Sequence, residues 1–311
     1  MQPKHFDDAA LAALGITTPD IITAIENTLF AISKNEVSVA SKTAVIAPDG
    51  RYMMATLAAS DTAGLIAVKA VMLNERNKAA GLPAINGAIL LLDAETGSLK
   101  ATLGAEWITA VRTAGLSAVA AKRLAMPGSS VLGLIGAGVQ GESHLRAFAD
   151  LFPLRHVKIY NRSQPGIERL IGIARELGLS AEATTAREAV SDVDLIATSV
   201  SIDYNTKPFL DARWLKPGCF AAVTDLGVPW LPVGLPAFGR IYVDDLAQER
   251  AMEKPLVAQK LITDDLTGLV VNGATHDPSK PSAFMFRGIA AGDLAVAALA
   301  YHKAIASQGP G

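Results

Sequence analysis

The feature that most constrains the fold is a short apolar run that leads directly into three spaced glycines. Val131–Ile135 reads VLGLI, and the chain continues as Gly136-Ala-Gly138-Val-Gln-Gly141. Such a pattern between a strand and a helix is typical of a dinucleotide site. The first glycine allows the tight turn, the second lets the backbone approach a pyrophosphate, and the third lets helix and strand pack closely. The helix N-terminus adds free N–H groups. The predicted cofactor contacts in this turn are Gly136, Ala137, Gly138, Val139 and Gln140.

The residues after the second predicted strand of this region indicate which dinucleotide binds. Twenty positions past Gly141 (161 − 141 = 20), the chain reads Asn161-Arg162-Ser163. A carboxylate there would accept a hydrogen bond from the ribose 2′-hydroxyl and repel a 2′-phosphate, whereas a guanidinium suits the phosphate. We therefore predict that all three residues contact NADP(H), with NAD(H) as the alternative. Thr198 and Ser199 end a later strand at the ligand edge of such a sheet, and we predict that they also contact the cofactor.

The pattern of helices and strands predicts two domains in this chain of 311 residues. Between 131 and 243, apolar strands alternate with helices, which implies a doubly wound parallel sheet of the Rossmann type. Between 37 and 92, short β-rich runs are separated by Pro, Gly and Asp turns, which indicates an antiparallel or mixed sheet. Helical spacing is found at 19–33 and 107–124. The predicted fold class is therefore α/β, with a Rossmann-type domain beside a second α+β domain.

Composition and charge exclude several classes of partner. Lys and Arg number 28 and Asp and Glu 30, so the formal net charge of −2 gives no field that would gather nucleic acid or an anionic membrane. Apolar runs are too short for a membrane helix, and the N-terminus has no signal-peptide pattern.

The single Cys219 excludes an intrachain disulfide. A soluble, cytoplasmic protein is expected, and the five histidines show no spacing that would hold a metal. The pairs Asp244-Asp245 and Asp264-Asp265 are expected to be solvated turns.

Over nearly its whole length, the chain resembles the ornithine cyclodeaminase and mu-crystallin family. The resemblance rests on residues 65–70, 93–97 and 108–122, and on 136–140 with 160–162. It implies a nucleotide-binding domain (114–284) inserted into a substrate and dimerisation domain (1–113 and 285–311), and it implies a homodimer. The substrate that it implies is a small amino acid or an imino acid derived from one, held in the cleft between the domains.

The resemblance also implies that basic side chains bind the substrate carboxylate. Lys69 and Arg112 match basic positions of the family, whereas Lys42 stands where an arginine is usual. A lysine cannot supply a planar bidentate fork, so either the carboxylate sits differently or the substrate class has changed. Thr113 follows Arg112 on the same predicted helix, where it suits a cofactor phosphate.

The expected chemistry is a reduction. Family members that eliminate ammonia carry an aspartate at the position of Leu226, one residue after Asp225. Members that resemble ketimine reductases lack this aspartate and share Trp230. We therefore predict an NADP(H)-dependent reductase of imines or ketimines derived from amino acids, which in reverse is an amino-acid dehydrogenase. Lys69 is the first candidate for the proton donor, and Asp225 is the second, although Asp225 could equally cap a turn.

Two other functions stay open at this point. One is a cyclodeaminase that eliminates ammonia while NAD stays bound. The other is a binding protein, gated by NADPH, whose cleft holds a small ligand without chemistry.

Overall fold

The computed structural model describes residues 2–83, 85–203 and 205–307, with all of their side chains except those of Glu75 and Lys78. The chain divides into two compact units. The first consists of Met1–Gly115 and Ile289–Gly311, and the second is Leu116–Gly288. The sequence-based boundaries, after residues 113 and 284, lie within a few residues of these.

The helices and strands are numbered in chain order. The elements up to the end of the third helix are β1 (Lys4–Phe6), α1 (Asp8–Ala12), α2 (Thr18–Ser33), β2 (Val37–Val39), β3 (Thr43–Ile46), β4 (Tyr52–Ser60), β5 (Leu65–Leu73), β6 (Ile85–Asp93), β7 (Leu99–Gly104) and α3 (Ala105–Leu124). They are followed by β8 (Val131–Ile135), α4 (Val139–Leu151), β9 (His156–Tyr160), α5 (Gln164–Glu176), β10 (Ser180–Ala183), β11 (Leu195–Thr198), β12 (Phe220–Val223), β13 (Arg240–Val243), α6 (Leu246–Ala251), β14 (Ile262–Asp265), α7 (Leu266–Asn272), β15 (Ser282–Met285) and α8 (Ala290–Ser307).

The described residues of the first unit form a seven-stranded mixed sheet. Its order is β1-β7-β6-β5-β4-β2, and β3 also pairs with β4. β1 runs parallel to β7, whereas the other neighbours are antiparallel. The predicted mixed sheet is therefore confirmed.

Helices α2 and α8 pack on each other and against this sheet. Helix α2 begins at a capping box, in which the side chain of Thr17 accepts from the N–H of Asp20 and that of Asp20 accepts from the N–H of Thr17. Its apolar positions Ile21, Ile25 and Leu29 recur at helical spacing and are buried. Helix α8 is rich in alanine, which lets it lie close to its neighbours, and it is buried along most of its length.

The second unit contains a parallel sheet of eight strands in the order β10-β9-β8-β11-β12-β15-β13-β14. From β8 the chain builds outward through β9 and β10, and it then returns to place β11 on the other side of β8. The order therefore reverses between β8 and β11. In open α/β sheets, ligands bind at the carboxyl ends of the strands at such a reversal. The predicted α/β fold class is confirmed.

The short central strands of the second unit are buried on both faces. Every residue of β11 and β12 is buried, as a parallel sheet covered by helices on both sides requires. Cys219 lies just before β12 and is buried. Among the described residues, no helix is both long and apolar enough to cross a membrane.

The expectation that Asp244 lies in a solvated turn was wrong. This residue directly follows β13, and it is only 2% exposed. Its carboxylate accepts hydrogen bonds from the backbone N–H groups of Arg287 and Gly288, at 3.1 and 2.7 Å from Oδ2. Two backbone N–H groups thus give a buried charge its partners.

The buried His144 links α3 to α4, the helix that follows the glycine turn. Its Nδ1 donates to the carbonyl of Gln140 at 2.8 Å, and its Nε2 accepts from the hydroxyl of Ser117 at 2.8 Å. The carbonyl of Gln140 can only accept, so Nδ1 carries the proton, and Nε2 accepts because burial keeps the ring neutral. Burial lowers the pKa of His144 to about 4.

The stability of the protein is expected to fall as the pH is lowered from about 6.5 toward 4. In this window the unfolded chain protonates His144 and the folded chain does not, so the linked loss approaches about 3 kcal/mol at the lower end. His144→Gln removes this component. Urea unfolding at a series of pH values should therefore show a flatter profile for His144→Gln than for the wild type. The control is His302→Gln at an exposed position, whose profile should match the wild type. Parallel profiles for all three proteins would contradict the assignment.

Candidate active site

Two glycines of the turn after β8 are required by close backbone contacts. Gly136 has a φ of 104°, and a Cβ added there would lie 2.6 Å from the carbonyl oxygen of Ser199. A Cβ on Gly141 would lie 2.5 Å from the carbonyl oxygen of Gly136. The turn, the end of β11 and the first turn of α4 can therefore approach one another only because these positions carry no side chain.

Gly138 has a different environment, because a Cβ there would meet no atom within 4 Å. It is the N-cap residue of α4, and no side chain caps this helix. The positive end of the α4 dipole therefore faces an open space over Gly138 and beside the exposed Val139. An anion such as a pyrophosphate suits this position.

The hydroxyl of Ser199 supplies a polar group at the same place. Its Oγ is buried and makes no hydrogen bond to any described residue. Buried polar groups are usually partnered, so the unpaired hydroxyl of Ser199 is available to bind a ligand. The close backbone contact at Gly136, the open space over Gly138 and the Ser199 hydroxyl together fit the shape and polarity of a dinucleotide.

The predicted ribose contacts lie at the end of the neighbouring strand β9. The Nδ2 of Asn161 donates to the carbonyl of Ser163 at 3.1 Å, which shapes this loop. Ser163 is the N-cap of α5 and makes no side-chain cap bond. The side chain of Arg162 is exposed. The loop therefore presents a guanidinium and a hydroxyl.

Sequence reasoning missed Arg169, which holds the glycine turn from α5. Its Nη2 donates to the carbonyls of Ala137 and Gly138, at 3.0 and 3.2 Å, and its Nη1 pairs with Glu142. The spacing of about thirty residues between α5 and the turn is not part of any fingerprint, so the sequence contained no signal for this contact.

Asp225 lies in the loop after β12, two residues past the strand, and is 1% exposed. Its Oδ1 accepts from the hydroxyl of Thr198 at 3.0 Å, and its Oδ2 accepts from the backbone N–H of Val200 at 3.1 Å. Trp230 Nε1 donates to the same Thr198 hydroxyl at 3.4 Å. Burial raises the pKa of Asp225 to about 6, against the effect of these hydrogen bonds. The carboxylate thus ties β11 to the loop after β12, and whether it also transfers a proton stays a prediction.

In the first unit, a buried ion network brings together two of the predicted basic residues. Lys69 on β5 is 1% exposed, and its Nζ lies 2.6 Å from Oδ1 of Asp293 on α8. The Nε of Arg112 on α3 lies 3.0 Å from the same oxygen. Thr56 on β4 donates from its hydroxyl to Oδ2 at 3.0 Å. Asp293, which sequence reasoning missed, is therefore the centre of the network.

Arg112 retains a donor, Nη1, that the network does not use. Its Nη1 is buried and makes no hydrogen bond to any described residue. Its Nε forms an ion pair with Asp293, but the geometry of this contact is not that of a hydrogen bond. Guanidinium groups pair with carboxylates through two parallel donors. A carboxylate ligand therefore fits Arg112.

The ionised groups of the network shift one another's pKa values, and these effects partly cancel. Burial and the nearby charge of Arg112 lower the pKa of Lys69 to about 8, whereas Asp293 acts to raise it. The positive charge of Lys42 also lowers this pKa, so Lys42 lies close to the same group. Burial alone would raise the pKa of Asp293, but Arg112 and Lys69 hold it below its usual value. The predicted substrate residues Lys69 and Arg112 thus share a single buried carboxylate, and Lys42 is near enough for its charge to act on Lys69.

Thr113 lies on α3 beside Arg112, and its hydroxyl donates to the carbonyl of Thr109 at 2.7 Å. Its predicted contact with a cofactor phosphate stays a prediction. Among the described residues, no group of three or more His, Cys, Asp or Glu side chains is placed to hold a metal ion.

Comparison with known proteins places this arrangement in a family. The family model of ornithine cyclodeaminase and mu-crystallin matches residues 10–308. The ketimine reductase mu-crystallin of Mus musculus is 32% identical over 243 residues, which are 76% of this chain and 75% of that protein. The iminosuccinate reductase of Paracoccus denitrificans is 36% identical over 234 residues, 71% of this chain and 72% of the relative.

A solved structure shows the same fold over the full length. The archaeal alanine dehydrogenase dimer with bound NAD superimposes with a TM-score of 0.88 at 22% identity. The match covers 100% of this chain and 98% of the dehydrogenase chain. The resemblance predicted from residues 65–162 is therefore confirmed. The chain belongs to the ornithine cyclodeaminase/mu-crystallin family.

Proposed function

We propose that this protein is an NADP(H)-dependent reductase of the C=N bond in imines or ketimines derived from amino acids. The observation that carries the proposal is the buried cationic cluster of Lys69 and Arg112, in which Arg112 Nη1 donates to no described group. The cluster has the charge to bind a substrate carboxylate. Both curated relatives described above bear the names of reductases of C=N bonds, which supports the same chemistry here.

The residues of the first unit can perform two parts of the reaction. Arg112 binds the substrate carboxylate through its Nη1, which orients the imine. Lys69, whose pKa is lowered to about 8, carries a proton at neutral pH and releases it easily. It therefore serves as the general acid that protonates the imine nitrogen. When bound, the reduced nicotinamide supplies the hydride.

The second unit supports the choice of NADP(H). Arg162 is exposed after β9, and no acidic residue occupies the three positions from Asn161 to Ser163. A guanidinium attracts the 2′-phosphate that distinguishes this cofactor. The archaeal dehydrogenase of the same fold has NAD bound, so NAD(H) is the alternative that the experiment must exclude.

We also propose a homodimer that forms through the sheet of the first unit. Side chains on alternate positions of neighbouring strands give this sheet an exposed apolar face, since Leu57 pairs with Val68 and Val68 pairs with Leu90. Leu57 is 44% and Leu90 39% exposed, whereas Leu91 beside it is buried. A contiguous apolar face of this kind is typical of a protein interface, and a second copy of the same face matches it in character. The related archaeal structure is a dimer, which supports the proposal. The cytoplasmic location stays a prediction.

The reaction class is tested with a panel of cyclic imines and of 2-oxo acids mixed with amines, followed by NADPH absorbance. We expect NADPH oxidation with at least one member, and a loss of about a hundredfold or more in kcat for Lys69→Ala, since a general acid contributes about that much. Release of ammonia from ornithine or lysine without net cofactor turnover would instead indicate a cyclodeaminase. Binding of the substrates without any turnover in wild type would indicate a binding protein.

The choice of cofactor is tested by the dissociation constants of NADPH and NADH. The wild type is expected to bind NADPH more tightly, and Arg162→Ala should weaken NADPH binding at least about tenfold while NADH binding is unchanged. Gly138→Ala should weaken both, because its Cβ would fill the open space over the turn. Arg175→Ala, at an exposed position in the last turn of α5, is the control and should change neither. Tighter binding of NADH by the wild type would reject the preference.

The dimer is tested by sedimentation of wild type and Leu57→Lys. We expect the wild type to have twice the mass of the chain and the variant to be monomeric, because a lysine on the apolar face would be desolvated at the interface. Val233→Lys changes a more exposed apolar residue of the second unit and should remain dimeric. A monomeric wild type, or a fully dimeric Leu57→Lys, would contradict this interface.

A further inference from the structure

Asp293 is a buried carboxylate that the sequence did not single out and that the reaction outlined above does not use. It lies in the first turn of α8, and it is 1% exposed. Both of its oxygens are engaged, Oδ1 by the two cations and Oδ2 by Thr56. A carboxylate with no free oxygen is poorly suited to bind a substrate amine or to transfer a proton itself.

We propose that Asp293 is a positioning residue that holds Lys69 and Arg112 in their working arrangement and keeps Lys69 protonated. The proposal rests on the proposed function, in which Lys69 is the proton donor. Three elements distant in sequence meet at this side chain, because β5, α3 and α8 contribute Lys69, Arg112 and Asp293.

The geometry explains why the lysine needs this partner. Lys69 Nζ is buried beside Arg112, and burial, the charge of Arg112 and that of Lys42 all favour the neutral amine. Asp293 opposes these effects by its charge and by its hydrogen bond with Lys69 Nζ at 2.6 Å. Without the carboxylate, Lys69 would lose its proton at a lower pH and would also lose its anchor.

Thr56 holds the carboxylate of Asp293 from the other side. Its hydroxyl donates to Oδ2 at 3.0 Å, which fixes the plane of the carboxylate so that Oδ1 is directed toward the lysine. The hydroxyl lies on β4 opposite Lys69 on β5, since the two residues are paired in the sheet. The sheet register therefore places the anchor of the carboxylate beside the group that the carboxylate positions.

The test follows the titration of Lys69 by NMR of the lysine side chains, with the signal assigned from its absence in Lys69→Arg. In the wild-type protein the midpoint is expected at about 8. In Asp293→Asn it should fall by at least about one pH unit, because an opposite charge in contact shifts a pKa by this amount. Asp244→Asn removes another buried carboxylate, in the second unit, and should leave the Lys69 midpoint unchanged. An Asp293→Asn midpoint equal to that of wild type would overturn the proposal.

The pH profile of NADPH oxidation gives the second readout. Activity that needs protonated Lys69 is lost as the pH rises through its pKa, so the alkaline limb should move to lower pH in Asp293→Asn together with the NMR midpoint. A carboxylate that only supported folding would lower activity equally at every pH, which would overturn the proposal. If the NMR midpoint moves but wild-type activity has no alkaline limb, the role of Lys69 as donor fails while the positioning by Asp293 stands.

If Asp293→Asn does not fold, two variants of Thr56 test the proposal instead. Thr56→Val removes the hydroxyl and keeps the shape, whereas Thr56→Ser keeps the hydroxyl. We expect Thr56→Val to lower kcat about tenfold with little change in the KM for NADPH, and Thr56→Ser to restore it. Equal kcat values for wild type and Thr56→Val would overturn the proposal.

Discussion

One carboxylate, that of Asp293, lies in contact with two buried cations in the first unit. Burial of a charge is costly, and burial of two like charges side by side is more so unless a counter-ion is present. The contacts of Lys69 and Arg112 with Asp293 meet this requirement, and they join a strand near the N-terminus to the last helix of the chain. The first unit is built from both chain ends, and this network is one of the contacts between them.

The same network leaves an excess of positive charge. Lys69 and Arg112 share a single carboxylate, and the charge of Lys42 acts on the same lysine. The proposed carboxylate substrate would add a negative charge beside these two cations, with the Nη1 of Arg112 as its directed donor. A positive cluster of this kind provides both affinity for a carboxylate and a lysine that gives up its proton near neutral pH.

The second unit depends on a different constraint, which is the close approach of three backbone segments at the ends of β8, β11 and β12. Gly136 contacts Ser199, and Asp225 binds Thr198 and Val200 on either side of that serine. Leu226, next to Asp225, has a φ of 58°, a conformation that is uncommon for residues other than glycine. The carboxylate of Asp225 therefore ties the end of β11 to the loop that carries this uncommon backbone conformation.

The sequence by itself determined the parts of this protein that depend on local pattern. The strand, glycine turn and helix from Val131 onward, the alternation that makes a parallel sheet, and the family all follow from residue type at short spacing. Lys69 and Arg112 were found through the matched motifs. Only the tertiary structure decided which side chains meet across distant segments: Asp293 with Lys69, 224 positions apart, and Arg169 with the turn at Ala137. The burial of Asp244 likewise depends on contacts with a segment distant in sequence, at Arg287 and Gly288. Such contacts form only when helices and strands pack together. The partner of a buried charge is the group that packing brings near it, and no periodicity along the chain predicts which group that is.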